Sequence, residues 1–254
     1  MDVGLQCRRV DGLLARIGRS LEDISAVLLT HGHADHTSGL RSLVRECSVE
    51  VFAAPGVRAG LKSALAPAKE VEAGGTFEVG GLVATFFEVP HDSSTCGVRI
   101  SEGERALAMA TDLGEAGPEV LGPMIGAEAV VLEANHDLDW LRSGPYSARL
   151  KRRISSRSGH LSNHQAAEAA IALAPHGLKD LILAHLSRTN NSPARACGTV
   201  RNALRGAGRD GIRVRAAMAG HPTPFIEVGT PIEDREYVYR YDRRSTSERL
   251  FETE

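Results

Sequence analysis

Short apolar runs, each closed by a polar residue or a turn, recur along the chain and predict buried β-strands. Their brevity and their aliphatic or branched side chains are typical of strands that are covered on both faces. Between them, apolar positions return at helical spacing, as in Ala166, Ala169, Ala170 and Leu173. The predicted strands occupy residues 26–30, 85–90, 105–111, 129–133 and 180–184.

The same pattern predicts further elements around these strands. Residues 37–47 begin with Thr37, a capping residue, and continue at helical spacing. Residues 192–207 also have helical spacing, and residues 213–217 and 224–228 are short enough to be the last strands. The order is a helix, a strand and a polar loop, then a second helix, a strand-rich stretch and an alternating second half.

This order predicts one α/β domain over residues 1–230. The chain has 254 residues, and its 42% hydrophobic content is enough for a sizeable core. The charged residues 231–254 predict a peripheral tail. The sequence contains no internal repeat and no apolar run that is long enough to cross a bilayer, so no membrane association is expected.

One loop carries the strongest chemical signal in the sequence. His31, His33, Asp35 and His36 lie within six residues, between a predicted strand and a predicted helix. His31 and His33 are two apart and can share one cation, whereas Asp35 and His36 lie past the bend and can face a second. A polar surface loop is the alternative interpretation. Because a catalytic zinc ion takes about three protein ligands, each ion needs further ligands from elsewhere.

Three other residues are candidates for those missing ligands. His91, Asp112 and His185 each follow a predicted strand at a turn, where α/β proteins gather their functional groups. Taken singly, they could be a loop histidine, a turn-forming aspartate and a satisfied core histidine. The incomplete site of the first loop favours ligation for all three.

With these residues in place, the chain resembles the metallo-β-lactamase superfamily along nearly its whole length. The superfamily motifs lie at residues 30–36, His91, 111–114 and His185. Residues 133–137, 159–163 and 185–191 are similar to the YycJ-like (WalJ) branch, bacterial proteins described as metal-dependent DNA exonucleases. The resemblance implies a four-layer αββα sandwich with a two-metal site at one edge.

The resemblance also assigns ligands and a mechanism. It implies that two divalent ions are bound, the first by His31, His33 and His91, the second by Asp35, His36 and His185, with Asp112 bridging both. A metal-bridging hydroxide would be the nucleophile, and Asp35 is expected to contribute to catalysis as well as to ligation. The imidazole-rich ligands favour zinc, with manganese as the alternative.

His160 precedes the helix that contains Ala166 and is the candidate proton donor. In phosphodiesterase branches of the superfamily, a histidine at the corresponding place protonates the leaving oxygen, and an alkoxide leaving group needs such a proton. The alternative is that His160 only caps the helix. Before it lies a cluster of cations, in which Arg152 and Arg153 are candidates for phosphate contact and a solvated surface is the alternative.

Asn135, His136 and Asn163 complete the candidate site as substrate-binding residues. The formal net charge of −2 lacks the basic excess of many nucleic-acid binders, and aromatic residues are only 4% of the chain, so contact with the backbone of the nucleic acid is favoured over base stacking. The four cysteines are widely spaced, which favours free thiols and a cytoplasmic location.

The sequence therefore predicts a metal-dependent phosphodiester hydrolase, a DNA exonuclease, with RNA as the less favoured substrate. A small-molecule esterase, thioesterase or cyclic phosphodiesterase is the alternative hydrolase, and an inactive metal-binding module is the alternative of another class. Asp2 matches the aspartate that steadies the metal loop in the superfamily, where two or more strands normally come earlier. We therefore expect that the first N-terminal strands are lacking from this chain. No oligomeric state is predicted.

Overall fold

The computed structural model describes residues 1–57 and 68–229. Its strands are β1 (Ala26–Leu29), β2 (Glu50–Ala53), β3 (Lys69–Glu70), β4 (Thr76–Val79), β5 (Leu82–Val89), β6 (Thr95–Glu102), β7 (Arg105–Ala110), β8 (Ala129–Glu133), β9 (Asp180–Ala184) and β10 (Arg213–Ala216). Its α-helices are α1 (Cys7–Ala15), α2 (Ala34–Thr37), α3 (Leu40–Glu46), α4 (Pro118–Met124), α5 (Leu138–Ser143), α6 (Ala148–Ile154), α7 (Asn163–Leu173) and α8 (Pro193–Gly206). The predicted tail at residues 231–254 lies outside the described residues.

The strands form two sheets. The smaller sheet is parallel, in the order β1-β2-β3. The larger sheet has the order β10-β9-β8-β7-β6-β5-β4, and it is antiparallel from β4 to β7 and parallel from β7 to β10. Strands β5, β7, β8 and β9 therefore run in one direction, and their carboxyl ends meet at one edge of the sheet.

Two hydrophobic cores cover the two faces of the larger sheet. Adjacent residues of β5 show the division, because side chains alternate between the faces of a strand. Phe86 is fully buried toward the smaller sheet, whereas Phe87 packs in the other core with α4, α7 and α8. Burial of one such side chain contributes about 1.5–3 kcal/mol. The architecture is the predicted αββα sandwich.

The helix after the loop at residues 31–36 differs from the prediction. Residues 37–47 do not form one helix, since α2 begins at Ala34 and the chain breaks at Ser38 and Gly39 before α3. The break has a tertiary cause: the Gly39 N–H donates to the Val3 carbonyl at 2.8 Å, and a Cβ at Gly39 would lie 1.7 Å from the Leu5 oxygen. Close passage of the N-terminal segment therefore interrupts the helix.

The predicted strand at residues 224–228 is also wrong. This segment is irregular, and β10 is the last strand in the described part of the chain. Pro222 and Pro224 lack the backbone N–H groups that pairing would need. The strands predicted at residues 85–90, 105–111, 129–133 and 180–184 are confirmed to within a few residues at their ends.

The N-terminal segment crosses the metal loop and fixes its position. Asp2 N–H donates to the Leu28 carbonyl at 2.8 Å, and Val3 N–H donates to the His36 carbonyl at 2.7 Å. A Cβ at Gly4 would lie 1.6 Å from the Asp35 oxygen, so only glycine permits this approach. Within the described residues, no helix is both long enough and apolar enough to span a lipid bilayer.

Candidate metal centre

The ends of five strands supply the candidate site. The loop after β1 carries the first motif, and single residues follow the other strands, with His91 after β5, Asp112 after β7 and His185 after β9. Glu133 is the last residue of β8. Backbone hydrogen bonds join these ends, from Cys96 N–H to the Thr30 carbonyl at 3.0 Å and from Gly114 N–H to the Pro90 carbonyl at 3.0 Å.

The seven predicted ligands converge in two overlapping groups. His31, His33 and His91 form one group, and Asp35, His36 and His185 form the other, with the ligand atoms of each group within 4.8 Å of one another. Asp112 lies between them, with Oδ2 at 3.1 Å from His36 Nε2 and Oδ1 at 3.9 Å from His91 Nε2.

Hydrogen bonds hold several imidazoles so that one nitrogen stays free. His91 Nδ1 donates to the Gly159 carbonyl at 3.0 Å, and His36 Nδ1 donates to Asp2 Oδ2 at 2.9 Å. His31 Nδ1 contacts Thr30 Oγ1 at 3.0 Å. Because a neutral imidazole has one N–H, each Nε2 then keeps its lone pair for a ligand.

Asp2 connects the two groups. Its Oδ2 atom accepts from His36 and from Thr30 Oγ1, which in turn contacts His31, and its Oδ1 atom accepts from Thr30 N–H at 2.8 Å. One carboxylate therefore orients a histidine of each group. This agrees with the expectation that Asp2 steadies the metal loop.

The arrangement fits divalent cations. Asp112 is buried, and its Oδ2 atom has no hydrogen bond of acceptable geometry although His36 Nε2 lies 3.1 Å away. His31 Nε2 and His33 Nδ1 are 3.1 Å apart, close to the roughly 3.3–3.4 Å between nitrogen ligands of a tetrahedral zinc ion with bonds of about 2.0–2.1 Å. A cation bound here would satisfy the Asp112 oxygen and would replace the proton that His31 Nε2 and His33 Nδ1 share.

The pKa values show how strongly these groups interact. Burial and the neighbouring His36 lower the pKa of His31 to about 4. Burial lowers the pKa of His36 as well, but Asp112 and Asp2 outweigh it and raise the pKa to about 10. His185, whose Nε2 lies 3.8 Å from Asp35 Oδ2, lowers the pKa of Asp35 to about 2. Since imidazole ligands must be neutral, metal uptake here would release protons.

Glu133 is a functional residue that the sequence analysis missed. Its side chain is fully buried, and its Oε1 atom accepts from His160 Nδ1 at 2.9 Å and from His185 Nδ1 at 2.6 Å. Its Oε2 atom accepts from the Leu113 and Leu161 N–H groups at 3.1 and 3.2 Å. Burial opposes ionisation of Glu133, but the bonds from His160 and His185 hold its pKa below the ordinary value. Its position at the end of β8 was the signal that could have found it.

Glu133 also holds His160 beside the ligand groups. Asp112, Glu133, His160 and His185 lie close enough to form a further group of possible ligands. However, the Nδ1 atoms of His160 and His185 that enter this group are already bonded to Glu133. His160 is thereby oriented beside the ligands, with its ring centroid 5.3 Å from those of His91 and His185.

Backbone strain is concentrated at this centre. Among the described residues other than glycine, a positive φ occurs at Asp2 (51°), Asp112 (59°) and His185 (55°). Such conformations are uncommon outside glycine and persist where the surrounding structure imposes them. All three side chains make contacts within the centre, so its geometry is built at a cost in backbone energy.

A cavity of about 310 Å³ opens beside the centre. Its lining includes His91, His160 and His185 together with Asn135 and Arg153, so the structure brings two of the five predicted substrate residues to it. Arg153 Nη2 also pairs with Asp92, a residue that the sequence analysis did not single out.

The other three predicted substrate residues lie elsewhere. Arg152 is exposed and does not line the cavity. His136 and Asn163 are each only 1% exposed, and the Asn163 amide exchanges hydrogen bonds with Asn191 at 3.0 and 2.8 Å. The Asn163 side chain is therefore occupied within the protein.

Comparison with known proteins identifies the family. Residues 8–186 match the family described as the β-lactamase superfamily domain. The chain is 33% identical over 240 residues to exodeoxyribonuclease WalJ of Streptococcus pneumoniae serotype 2 (strain D39), which covers 90% of this chain and 89% of WalJ. The chain belongs to the metallo-β-lactamase superfamily. The resemblance read from the sequence is confirmed.

Two further relatives support the assignment. Exodeoxyribonuclease YycJ of Bacillus anthracis is 32% identical over 197 residues, covering 75% of each chain. The zinc-bound PqqB from Methylobacterium extorquens, solved at 1.98 Å, superposes with a TM-score of 0.53 at 21% identity, covering 76% of this chain and 71% of PqqB. At that identity the superposition with PqqB shows the shared superfamily fold.

Proposed function

We propose that this protein is a metal-dependent phosphodiester hydrolase that acts on DNA as an exonuclease. The observation that carries the proposal is the Glu133–His160 pair next to the two ligand groups, in which His160 lines the cavity and the buried Glu133 holds its ring. Hydrolysis of a phosphodiester needs both an activated water and a proton for the leaving oxygen. The relatives WalJ and YycJ, which are named exodeoxyribonucleases, support DNA as the substrate.

The ligand groups would hold two divalent ions. His31, His33 and His91 would bind the first ion, and Asp35, His36 and His185 the second, with Asp112 shared. Bound ions would supply Lewis-acid polarisation of the phosphate and lower the pKa of a water molecule. Zinc is the proposed metal on the basis of the imidazole-rich ligands, with manganese as the alternative, and the zinc in the PqqB structure supports this choice.

His160 would donate the proton to the leaving oxygen. Glu133 orients its ring through Nδ1, so Nε2 is the atom that remains for the substrate. Glu133 is itself ionised, and its bond to Nδ1 holds the ring of His160 in this orientation. Such proton transfer typically contributes 10²–10⁴-fold to a rate.

Arg153 and Asn135 would contact the substrate at the cavity wall. Arg153 is the cation of the basic cluster that reaches the cavity, and Asn135 is held there by a hydrogen bond from its amide to the His185 carbonyl at 2.9 Å. A guanidinium there is suited to a phosphate oxygen. The four free cysteines support the cytoplasm as the compartment.

The first test is hydrolysis of end-labelled DNA by the purified chain loaded with zinc or manganese. We expect release of nucleotides from the ends, complete inhibition by a chelator, and loss of activity in Asp112→Ala. Asp210→Ala changes an exposed turn aspartate and is the matched control that should keep activity. Full activity of Asp112→Ala, or a thioester hydrolysed faster than DNA, would contradict the proposal.

The second test addresses His160 by its leaving-group dependence. His160→Ala should slow DNA hydrolysis by about 10²–10⁴-fold. It should slow hydrolysis of bis-p-nitrophenyl phosphate much less, because p-nitrophenolate leaves without a proton. An equal loss on both substrates would mean that His160 acts on the metal centre rather than on the leaving oxygen.

A further inference from the structure

The cavity beside the metal centre has a wall that phosphate chemistry does not explain. Besides His91 and His160, the cavity is lined by Tyr146, Leu150, Ile154 and Leu186. These side chains are partly buried, so they line the cavity rather than project into solvent. Metal ligands and a proton donor need polar surroundings, and an apolar wall at this place indicates contact with another part of the substrate.

Helix α6 contributes Leu150 and Ile154 to this wall. Ser147 caps the helix by accepting from Leu150 N–H at 3.3 Å, and Leu150, Arg153 and Ile154 then lie on one face because they are three and four residues apart. The His160 N–H donates to the Ile154 carbonyl at 2.9 Å. The wall and the proposed proton donor are therefore fixed to each other.

The combination of groups matches a nucleobase. A base is a flat aromatic ring with polar edges, and the cavity offers an aromatic side chain at Tyr146, aliphatic surface at Leu150 and Leu186, and polar groups at Asn135 and Ser187. Stacking of a base on an aromatic ring is tolerant of sequence, as a nuclease of broad specificity requires. Arg153 lies at the same wall, where a guanidinium can contact the attached phosphate.

The size of the cavity suits a single nucleotide. Small-molecule pockets range over about 300–1,000 Å³. At about 310 Å³ this cavity is at the small end of that range. A base that enters it would be unpaired, and because His91 and His185 line the same cavity, the phosphate attached to that base would lie near the ligand groups.

We propose that this cavity binds the base of a single terminal nucleotide of the DNA substrate. This inference rests on the proposed function and deepens it: a pocket for one base at the end of the strand would make the enzyme release mononucleotides from an end. It also modifies the expectation from the low aromatic content, since one aromatic residue suffices for one base.

The test uses oligonucleotides that are identical except at the terminal residue. One set ends in a normal nucleotide and the other in an abasic residue that keeps the sugar and phosphate. We expect kcat/KM to be about tenfold or more higher for the normal end. Tyr146→Ala should reduce this preference toward one, Tyr146→Phe should keep it, and Trp140→Ala, an exposed aromatic residue outside the cavity, is the matched control.

A second variant and a binding measurement keep the two proposals separate. Leu150→Trp should fill the cavity and remove the preference through a higher KM for the normal end. Binding of deoxynucleoside monophosphates to the metal-free protein should be about tenfold tighter than binding of deoxyribose 5-phosphate. Equal kcat/KM on both ends by an active wild type would overturn the base pocket. Base-dependent binding without hydrolysis of DNA or bis-p-nitrophenyl phosphate would support the pocket and contradict the hydrolase.

Discussion

Two fully buried carboxylates on neighbouring strands have opposite surroundings. Glu133 ends β8, whereas Asp180 begins β9, and the register pairs Glu133 with Ala184 and Asp180 with Ala129, so the two lie at opposite ends of the sheet. Glu133 accepts hydrogen bonds from His160 and His185. Asp180 accepts from Arg213 Nε at 2.8 Å and Nη2 at 2.6 Å, and from Arg215 at 3.3 Å.

The difference lies in what the partners can do. Histidine gains and loses a proton near neutral pH, whereas arginine stays charged. Glu133 can therefore influence proton transfer through His160, whereas the bonds from Arg213 and Arg215 to Asp180 hold β9 against β10. Burial of a carboxylate does not by itself indicate a catalytic role. The indication comes from whether its partners are side chains that can exchange a proton.

Replacing Glu133 should reduce catalytic activity. Glu133→Gln keeps the size of the side chain but removes the charge, so we expect DNA hydrolysis to fall by about 10²–10⁴-fold. The pH profile should shift, because burial lowers the pKa of His185 and Glu133 is one of the groups that outweigh burial and raise it. The readouts are kcat as a function of pH and the metal content. An unchanged pH profile together with a full loss of metal would show a purely structural role.

Replacing Asp180 should reduce the stability of the fold but not the activity of the folded protein. Asp180→Asn removes the negative charge that faces Arg213 and Arg215 at 2.6 and 3.3 Å, and removal of one partner of a buried ion pair costs about 3–5 kcal/mol. Urea unfolding in the presence of chelator measures this loss. Activity per folded molecule should stay at the wild-type level. A lower kcat in fully folded protein would contradict the separation of the two roles.

A third buried group, His136, differs from Glu133 and Asp180 because its side chain has no hydrogen-bond partner among the described residues. Both of its ring nitrogens lack a hydrogen bond in the described structure, and burial lowers its pKa to about 4. Because the folded pKa lies below the unfolded value of about 6.5, the unfolded chain takes up this proton first as the pH falls. The free energy of unfolding is therefore unaffected by this group above pH 6.5 and decreases by roughly 3 kcal/mol as the pH falls toward 4.

His136→Phe should therefore flatten part of the acid-induced loss of stability. The measurement is the free energy of unfolding of the metal-free protein at several pH values between 7 and 4. Exposed His176→Asn is the matched control. A pH dependence identical to that of the wild type would show that the folded protein accommodates protonated His136.

Asp2 gives the smallest of the expected effects. It orients His36 directly and His31 through Thr30, so Asp2→Asn should weaken metal binding by about 10–100-fold without removing a ligand. A competition titration with a chromophoric chelator measures the affinity. Asp11→Asn on the exposed surface of α1 is the control. Equal affinities would contradict a shared anchoring role.

Much of the candidate metal centre could be predicted because its residues follow strands. His91, Asp112 and His185 occupy turns at the ends of apolar runs, and parallel strands bring such turns together. Glu133 was missed although it stands in the same position, because its role depends on two histidines that only the fold brings to it.

The features that the sequence analysis did not foresee share a cause. The pattern of residues 37–47 is locally helical, but contacts with the N-terminal segment decide where the helix breaks at Gly39. Likewise, Asn163 has the polarity of a substrate ligand, yet its amide is consumed by Asn191 from a distant loop. In both cases the residue types indicated the local property, whereas the contacts with distant segments could not be predicted from the sequence.

The left-handed backbone at Asp112 and His185 limits which amino acids can ever stand there. Asparagine, aspartate, histidine and glycine tolerate that conformation, whereas valine or isoleucine would add steric strain to the loss of a ligand. The backbone therefore restricts substitution at these two positions to a few amino acids, whether or not a metal ion is bound there.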